Sequence, residues 1–487
     1  MTETQSGAWG LLGIQRYLPR LRLERAAILD QHRWMAPGLK SLARGQRTMA
    51  AWDEDSVTMA VEAARPLLRA LPGQSWQGLT LASTTLPFAE RLHAGIAASA
   101  LGLPPALLAR DAVSSLRAAS TELIALLRQG EGAHLLLAAD RRVARPASAQ
   151  EMQFGDGAAA AAVGPGRPIA ELVASQSLRA DFVHRFRATG QDHDYGWEER
   201  WVRDEGYMKI VLPVIRQCLK SAGVAAADIA HVAMPALLPR IDEAVARTLG
   251  IPAGAIADEP STRCGDFGTA QALALLDAAL RRAAPGELVL LAVFGSGCDV
   301  LLLRRTDAPC PGQMPQPGKP ESSYLKYLSF TGQIELDWGM RAEMDNKTAL
   351  TAAWRDEARN AHFEAGACTR CGTVQFPPSR VCVNPECRAQ DTQRPHSLAD
   401  AGARVLSHTS DWLGYTPAPP FQFGHIDFEG GGRVLMEFAD TDPEELRVGL
   451  PLRMVYRVKE FDPRRGYRRY FWKATPLREA EQGAAGG

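Results

Sequence analysis

The sequence predicts an α/β protein with an internal echo, followed by a smaller β-rich part that carries a clustered set of cysteines. Three observations support this. Up to about residue 306, short apolar runs of strand length alternate with segments of helical period, the pattern of parallel strands joined by helices. A glycine turn feeding an apolar strand closes two stretches about 140 residues apart: Gly155-Asp-Gly-Ala-Ala-Ala-Ala-Ala-Val163 and Phe294-Gly-Ser-Gly-Cys-Asp-Val-Leu-Leu-Leu303. Beyond a proline-rich break the runs become short and alternating, and four of the eight cysteines fall within twenty residues. The echo reads most economically as a duplicated unit, the other reading being two α/β segments that end alike.

In chain order, Asp55–Leu71 places Val57, Ala60, Val61 and Ala64 on one helical face, with Asp55 or Ser56 as N-cap. Leu79–Ala82 and Ala133–Ala139 are apolar runs bounded by glycine or charge and read as buried strands, with a helix over Leu116–Leu127 between them. His134–Ala139 and Leu288–Val293 are the strand runs that precede the two glycine turns. Asp307–Pro320 holds five prolines in a short polar stretch and reads as a linker. Ala349–His362 has helical character and leads into the cysteines. Val405–Thr409, Phe421–Ile426, Val434–Phe438 and Met454–Val458 are short strand runs between Gly- and Pro-rich turns such as Glu429–Gly432, the pattern of a small barrel or sandwich.

The chain has 487 residues, 46% apolar and 23% charged, with 55 basic and 55 acidic side chains. That length fits about three structural units, and the balance argues against a surface devoted to nucleic acid or anionic lipid. The first ten residues are polar, without the basic-then-apolar pattern of a secretion signal, and no run of apolar residues is long enough to span a bilayer. The expectation is a cytoplasmic protein.

Cys368-x2-Cys371-Gly and Cys382-x4-Cys387 are two knuckle-like pairs ten residues apart. Zinc takes four soft ligands in a tetrahedron, and two short cysteine pairs on facing turns supply them. A site closed by four protein ligands leaves no position for water, so the expected role is structural. The last strand region, Arg453–Arg478, interleaves cations with Tyr456, Phe461, Tyr467, Tyr470, Phe471 and Trp472. Such a stretch suits a nucleotide or single-stranded nucleic acid, or else forms a barrel strand with a solvated basic face.

Several motifs resemble the hydroxymethylglutaryl-CoA synthase family of the thiolase superfamily. They are Ala51-Trp-Asp-Glu-Asp-Ser-Val-Thr-Met-Ala-Val-Glu-Ala-Ala-Arg65, Phe154-Gly-Asp-Gly-Ala-Ala-Ala, Asp181-Phe-Val-His-Arg-Phe-Arg, Trp197-Glu-Glu-Arg-Trp-Val-Arg-Asp-Glu-Gly-Tyr207 and Phe294-Gly-Ser-Gly. The resemblance runs from about Gly10 to Arg305 and implies the duplicated, five-layer thiolase fold and a homodimer. From about Tyr324 to Pro476 the chain is similar to the zinc-ribbon and OB-fold proteins that accompany thiolases. The organisation implied is a thiolase-fold domain over 8–306, a linker over 307–320, a connecting helical segment over 321–364, a zinc ribbon over 365–395 and an OB-fold β-barrel over 396–478.

The family resemblance also implies a cysteine nucleophile at the start of a buried helix, a histidine and an asparagine that polarise thioester carbonyls, and a glutamate acid–base. In Asp111-Ala-Val-Ser-Ser-Leu-Arg-Ala-Ala-Ser120 the cysteine position falls on Leu116, with Ser114 and Ser115 beside it. In Asp228-Ile-Ala-His-Val-Ala-Met-Pro235 the histidine position falls on Pro235, four residues after His231. The asparagine of Gly-Asn-x-Gly becomes Asp266 in Gly265-Asp-Phe-Gly268, and the glutamate position in Leu81-Ala-Ser-Thr-Thr-Leu-Pro87 falls on Thr84.

Three functional readings follow. The first is a synthase-like subunit that supports a catalytic thiolase partner by docking and by holding acyl-CoA, with Arg464, Arg468, Tyr470 and Trp472 facing the coenzyme A nucleotide. The second is a cysteine-independent acyl-CoA lyase, aldolase or acyltransferase, with Asp266, Tyr207, His231 and Ser115 as its candidate groups. The third is an OB-fold protein binding nucleic acid, for which the synthase-like part gives no reason. The expected ligands are structural zinc on Cys368, Cys371, Cys382 and Cys387 and a coenzyme A thioester.

Overall fold

The computed structural model of the protein describes residues 8–256, 264–314, 317–338 and 349–478. It divides into two compact units: Met1–Ala50, Glu62–Gly95 and Ala106–Tyr327 form the first, and Ala51–Val61, Ile96–Pro105 and Leu328–Gly487 the second.

The first unit is organised by nine strands: β1 (Ala8–Tyr17), β2 (Trp76–Ser83), β3 (Leu108–Val113), β4 (Ala133–Asp140), β5 (Gly157–Gly166), β6 (Ala170–Arg179), β7 (Ile229–Ala233), β8 (Leu288–Phe294) and β9 (Gly297–Arg305). Their order across the sheet is β7-β8-β9-β6-β1-β5-β4-β2-β3. The echo in the sequence is a true topological repeat. In the first half β1 pairs antiparallel with β5, β5 antiparallel with β4, and β2 lies parallel to β4 and β3. In the second half β6 pairs antiparallel with β9, β9 antiparallel with β8, and β7 lies parallel to β8. A parallel bridge from Val232 to Ile256 supplies the counterpart of β3. The halves join where Leu11 faces Ala170.

Five helices are relevant here: α1 (Ser56–Ala70), α2 (Ala118–Gln129), α3 (Leu212–Ala222), α4 (Ile241–Leu249) and α5 (Gln271–Arg282). Helices α2 and α5 touch, and bury Leu123, Leu126, Leu127, Leu273, Leu276 and Leu280 in one core with Leu291, Leu301 and Leu303. The intervening side chains of the same strands, Leu290, Ala292, Val300 and Leu302, enter a second core with Ile215 and Leu219 of α3 and Val245 of α4. Strands buried on both faces read as continuous apolar runs, which is why β4 and β8 were legible as strands. This is the thiolase-type layering of helices and sheets. The proline-rich 307–320 stretch runs along this unit: Gln15 and Gln313 exchange hydrogen bonds, Arg281 donates to the Pro311 carbonyl, and Lys319–Glu321 pairs parallel with Leu21–Glu24.

In the second unit Ala349–His362 forms two short helices, α6 (Leu350–Arg355) and α7 (Glu357–Ala361), interrupted at Asp356. A three-stranded sheet follows, β10 (Glu364–Cys368), β11 (Val374–Gln375) and β12 (Gln393–Ser397), with β10 in the middle. The barrel strands are β13 (Ala403–Val405), β14 (Thr409–Asp411), β15 (Phe421–Phe428), β16 (Arg433–Glu437), β17 (Pro451–Asp462) and β18 (Tyr467–Pro476). Their order is β14-β15-β13-β17-β18, with β16 on β15 and a bridge from Phe438 to Ala474 linking its far end to β18. The run Val405–Thr409 is thus two strands: pairing breaks at Leu406–His408 before β14 begins. Among the described residues no helix is long and apolar enough to cross a membrane.

Candidate functional site

In a parallel sheet, sites form beyond the carboxyl ends of the strands. In the first half, β4 ends at Asp140, whose Oδ1 accepts the hydroxyls of Ser83, Thr84 and Thr85 at 3.0, 3.1 and 2.8 Å and the Thr84 amide at 2.8 Å. Its Oδ2 accepts the Thr269 amide at 2.7 Å. Thr84, the residue at the glutamate position, is therefore a donor to Asp140.

Two residues further on, Arg142 is buried and pairs with Asp266 and, at 3.1 Å, with Asp194; its guanidinium also lies 3.3 Å from the centre of the Phe154 ring. Asp266 Oδ1 in addition accepts the Gly268 amide at 2.9 Å. The loop bearing Asp266 passes hard against another backbone: a Cβ on Gly265, whose φ is +110°, would lie 2.7 Å from the Gly155 nitrogen. Glycine at 155 and 265 is what allows this crossing. Arg185 and Arg187 stand 3.6 Å from Asp194. Burial, and then the like charge of Arg142, lowers Arg185 to about 10.

The other residues singled out from the sequence do not join this cluster. Ser115 Oγ accepts the Arg117 amide at 3.2 Å, the local turn that starts α2, and Ser114 is held at φ 70°. Tyr207 lies in a π-type helical segment, Val202–Val211, its ring 4.9 Å from that of Phe294, and burial raises its phenol. It is a core residue. His231, on β7, has its Nε2 3.1 Å from Glu287. Arg142, Asp140 and Asp194 were missed. For Asp140 and Arg142 the available signal was the charged triplet Asp140-Arg-Arg142 directly after the apolar run Leu135–Ala139.

A cavity of about 310 Å3 adjoins the centre, lined among others by Arg25, Arg44, Gln153, Leu237 and Asp266. Arg25 Nε donates to the Met152 carbonyl at 2.7 Å, and its Nη1 to the Arg44 carbonyl at 3.1 Å.

In the second unit, the sulfurs of Cys368, Cys371, Cys382 and Cys387 all lie within 4.8 Å of one another. The Cys368–Cys387 and Cys371–Cys382 separations are 3.9 and 3.5 Å. A tetrahedron of Zn–S bonds of about 2.3 Å sets its sulfurs about 3.8 Å apart, so the donor set fits such an ion. Gly372, at φ +77°, turns its amide back to the Cys368 carbonyl at 2.8 Å. The Thr392 hydroxyl, 3.2 Å from its Sγ, helps hold the Cys368 thiol down to about 6.

The four residues expected to face a coenzyme do not form one surface. Trp472 and Tyr470 are buried, and their polar atoms are used internally: Trp472 Nε1 donates to the Ala361 carbonyl at 2.8 Å and Tyr470 Oη to Asp55 Oδ2 at 2.8 Å. Arg468 pairs with the same carboxylate at 3.2 Å, and only Arg464 points its side chain to solvent. The physical reason lies in an acidic segment of the same unit. Lys473 binds Asp53 at 2.9 Å and Glu437 at 3.0 Å, and Arg457 binds Glu54 at 3.2 Å and Asp440 at 2.8 Å.

Fold and site together define a thiolase-superfamily domain joined to a cysteine-rich zinc ribbon and an OB-fold barrel. Residues 355–393 match the "ChsH2, rubredoxin-like zinc ribbon domain" family, 402–457 the "ChsH2, C-terminal OB-fold domain" and 219–302 the "3-Oxoacyl-[acyl-carrier-protein (ACP)] synthase III C terminal" family. The chain is 28% identical to the hydroxymethylglutaryl-CoA synthase of Aeropyrum pernix over 357 residues, covering 72% of this chain and 97% of the relative. It is 26% identical to that of Methanopyrus kandleri over 299 residues, 59% of this chain and 84% of the relative. Among solved structures, 3-oxoacyl-(acyl carrier protein) synthase III of Pseudomonas aeruginosa shares the fold: TM-score 0.55, 22% identity, 62% of this chain and all of that one. The chain thus resembles hydroxymethylglutaryl-CoA synthases of the thiolase superfamily in its first part and matches the ChsH2 zinc-ribbon and OB-fold families in its second.

Proposed function

We propose that the protein is a coenzyme A thioester-binding, synthase-like component of an acyl-CoA carbon–carbon bond-forming or thiolytic complex, in which a partner thiolase supplies the nucleophile. The observation that carries this is the start of α2. Leu116 stands at the nucleophile position, the Ser115 hydroxyl is engaged by the turn, Thr84 serves Asp140, and Asp266 is tied to Arg142. Acyl transfer through an enzyme-bound thioester needs a thiolate, and polarising the carbonyl needs neutral donors aimed at it. None of these positions supplies them. The cavity beside Asp266, with Arg25 and Arg44 on its walls, suits a thioester arm whose phosphates meet cations. The cysteine cluster holds one zinc ion, which fixes the ribbon. Strand β3 pairs with β2 alone among the described residues and exposes Leu108 and Val113, which supports pairing with a second copy of this chain.

One observation favours the lyase reading as an alternative: Asp266 lines the cavity. In a retro-aldol step its carboxylate takes the β-hydroxyl proton, the Cα–Cβ bond opens, and the electron pair passes to the thioester as an enolate.

Calorimetric titration of the full chain with acetyl-CoA separates these readings from a synthase. The expected result is saturable binding that weakens at least tenfold in Arg44→Ala, with no condensation of acetyl-CoA with acetoacetyl-CoA by the chain alone. Absence of binding, or condensation without a partner, would overturn the proposal. Cleavage of a β-hydroxyacyl-CoA that is abolished in Asp266→Asn would establish the alternative.

A further inference from the structure

The cavity beside Asp266 has a larger neighbour that the preceding readings do not use. A cavity of about 730 Å3 lies in the first unit, lined by the loop that follows β7, by α4, by residues 250–256 and by the first turns of α5. Its size is that of a small-molecule pocket. The two cavities adjoin, since Ala236, Leu237, Pro239 and Gln271 line both. The larger one has apolar walls from Met234, Leu237, Leu238, Ile251, Ile256 and Leu275. Its charged residues, Arg240, Asp242, Glu243 and Arg247, lie on α4 or at its N-cap and sum to no net charge. Arg240 and Glu243 pair at 2.9 Å with side chains 80% and 51% exposed, which sets this pair at the mouth. A pocket of this kind suits an uncharged, apolar group.

Gln271 marks the junction. It is the first residue of α5 and only 6% exposed. Its Oε1 accepts the Phe267 amide at 3.1 Å, which fixes the orientation of the carboxamide. Its Nε2 makes no hydrogen bond to another described residue. A neutral donor is therefore left over in the wall common to both cavities, and a buried donor calls for a partner. The smaller cavity adds Arg25 and Arg44, and the larger adds the apolar walls. Cations, a neutral donor and an apolar chamber match the phosphates, the carbonyl and the acyl group of a coenzyme A thioester.

We propose that the larger cavity receives the acyl group of the thioester, that Gln271 Nε2 donates to the thioester carbonyl at the junction, and that the acyl group is a large, uncharged apolar one rather than acetyl or acetoacetyl. The inference rests on reading the cavity beside Asp266 as the thioester site, and it names the substrate class of that site.

The test is calorimetric titration of the full-length protein with coenzyme A, acetyl-CoA, octanoyl-CoA and glutaryl-CoA. Burying methylenes favours binding, so octanoyl-CoA is expected to bind at least tenfold tighter than acetyl-CoA. Glutaryl-CoA, whose acyl group ends in a carboxylate, is expected to show no such gain. Leu238→Asp sets a charge in the apolar wall, and Ala253→Trp fills the space from an exposed lining position. Each is expected to bring the octanoyl-to-acetyl affinity ratio to within threefold of one. Two such variants, each checked by thermal unfolding, keep the test open where one fails to fold. Gln271→Glu keeps the acceptor for the Phe267 amide and loses the donor, and is expected to weaken acetyl-CoA at least threefold more than free coenzyme A. Octanoyl-CoA binding no tighter than acetyl-CoA, or a gain that persists in both wall variants, overturns the proposal. Glutaryl-CoA binding as tightly as octanoyl-CoA overturns the uncharged class. Equal weakening of thioester and free coenzyme A in Gln271→Glu overturns the role of Gln271. Failure of coenzyme A and every thioester to bind overturns the thioester reading itself, whereas acetyl-CoA binding without the octanoyl gain overturns only this inference.

Discussion

Arg142 is the buried cation at the middle of this centre. It is buried between two carboxylates, so removing it leaves Asp266 without this ion-pair partner, while Asp194 keeps Arg185 and Arg187 at 3.6 Å. Breaking a buried pair from one side costs about 3–5 kcal/mol. Arg142→Ala is therefore expected to lose about that much stability in urea unfolding, whereas Asp266→Asn, which keeps the Asp194 pair, loses clearly less. His184 carries the pH dependence of the same region. Burial, and then the nearby Arg185, lowers its imidazole from the ordinary 6.5 to about 4. The unfolded chain takes up this proton near pH 6.5 and the folded protein only near 4, so stability is complete above about 6.5 and falls through that window. The loss is on the order of 3 kcal/mol between neutral pH and pH 4. Denaturant midpoints measured across this range should fall in the native protein and flatten in His184→Phe. At this scale the sequence showed what stands at positions 84, 116 and 266 but not their partners. Arg142 meets Asp194 and Asp266 across 52 and 124 residues of chain, which no local spacing encodes.

At the scale of elements, the cysteine ribbon was fully legible, because a metal tetrahedron needs its ligands in short pairs and those pairs are local. The full chain is expected to contain one zinc, and Cys371→Ser or a thiol reagent to release it with a lower unfolding temperature, read by metal analysis alongside calorimetry. Strand β18 was legible as a strand, but not which of its residues face inward. Alternation puts Tyr470 and Trp472 on one buried face; Lys473, on the other, is buried against Asp53 and Glu437, and Asp53–Asp55, which neutralise part of the tail, lie more than 400 residues earlier. Asp55 joins these elements. Its Oδ1 accepts the Val57 and Thr58 amides at 3.1 and 3.0 Å as the N-cap of α1, while its Oδ2 takes Tyr470 and Arg468. Asp55→Ala therefore loses a cap and two cross-element bonds together, an expected cost of about 2–4 kcal/mol in equilibrium unfolding.

For the molecule as a whole, the repeated strand order of the first unit sets the frame in which the candidate centre lies. Glycine crossings at Gly155 and Gly265, the two central helices and the strand ends hold the geometry, and none of them requires a cysteine. The α/β repeat was readable from two glycine turns and their apolar strands, because a strand buried on both faces leaves its mark in composition. The cavities were not readable, since their walls are assembled from segments far apart in sequence. The central claim is that the synthase-like centre forms no acyl-enzyme. Its most direct test is the intact mass of the full-length protein after incubation with acetyl-CoA. We expect the mass to stay that of the unmodified chain, whether or not the thioester binds. A stable gain of one acetyl group, mapped to the start of α2, would contradict the account and place a nucleophile where Leu116 stands.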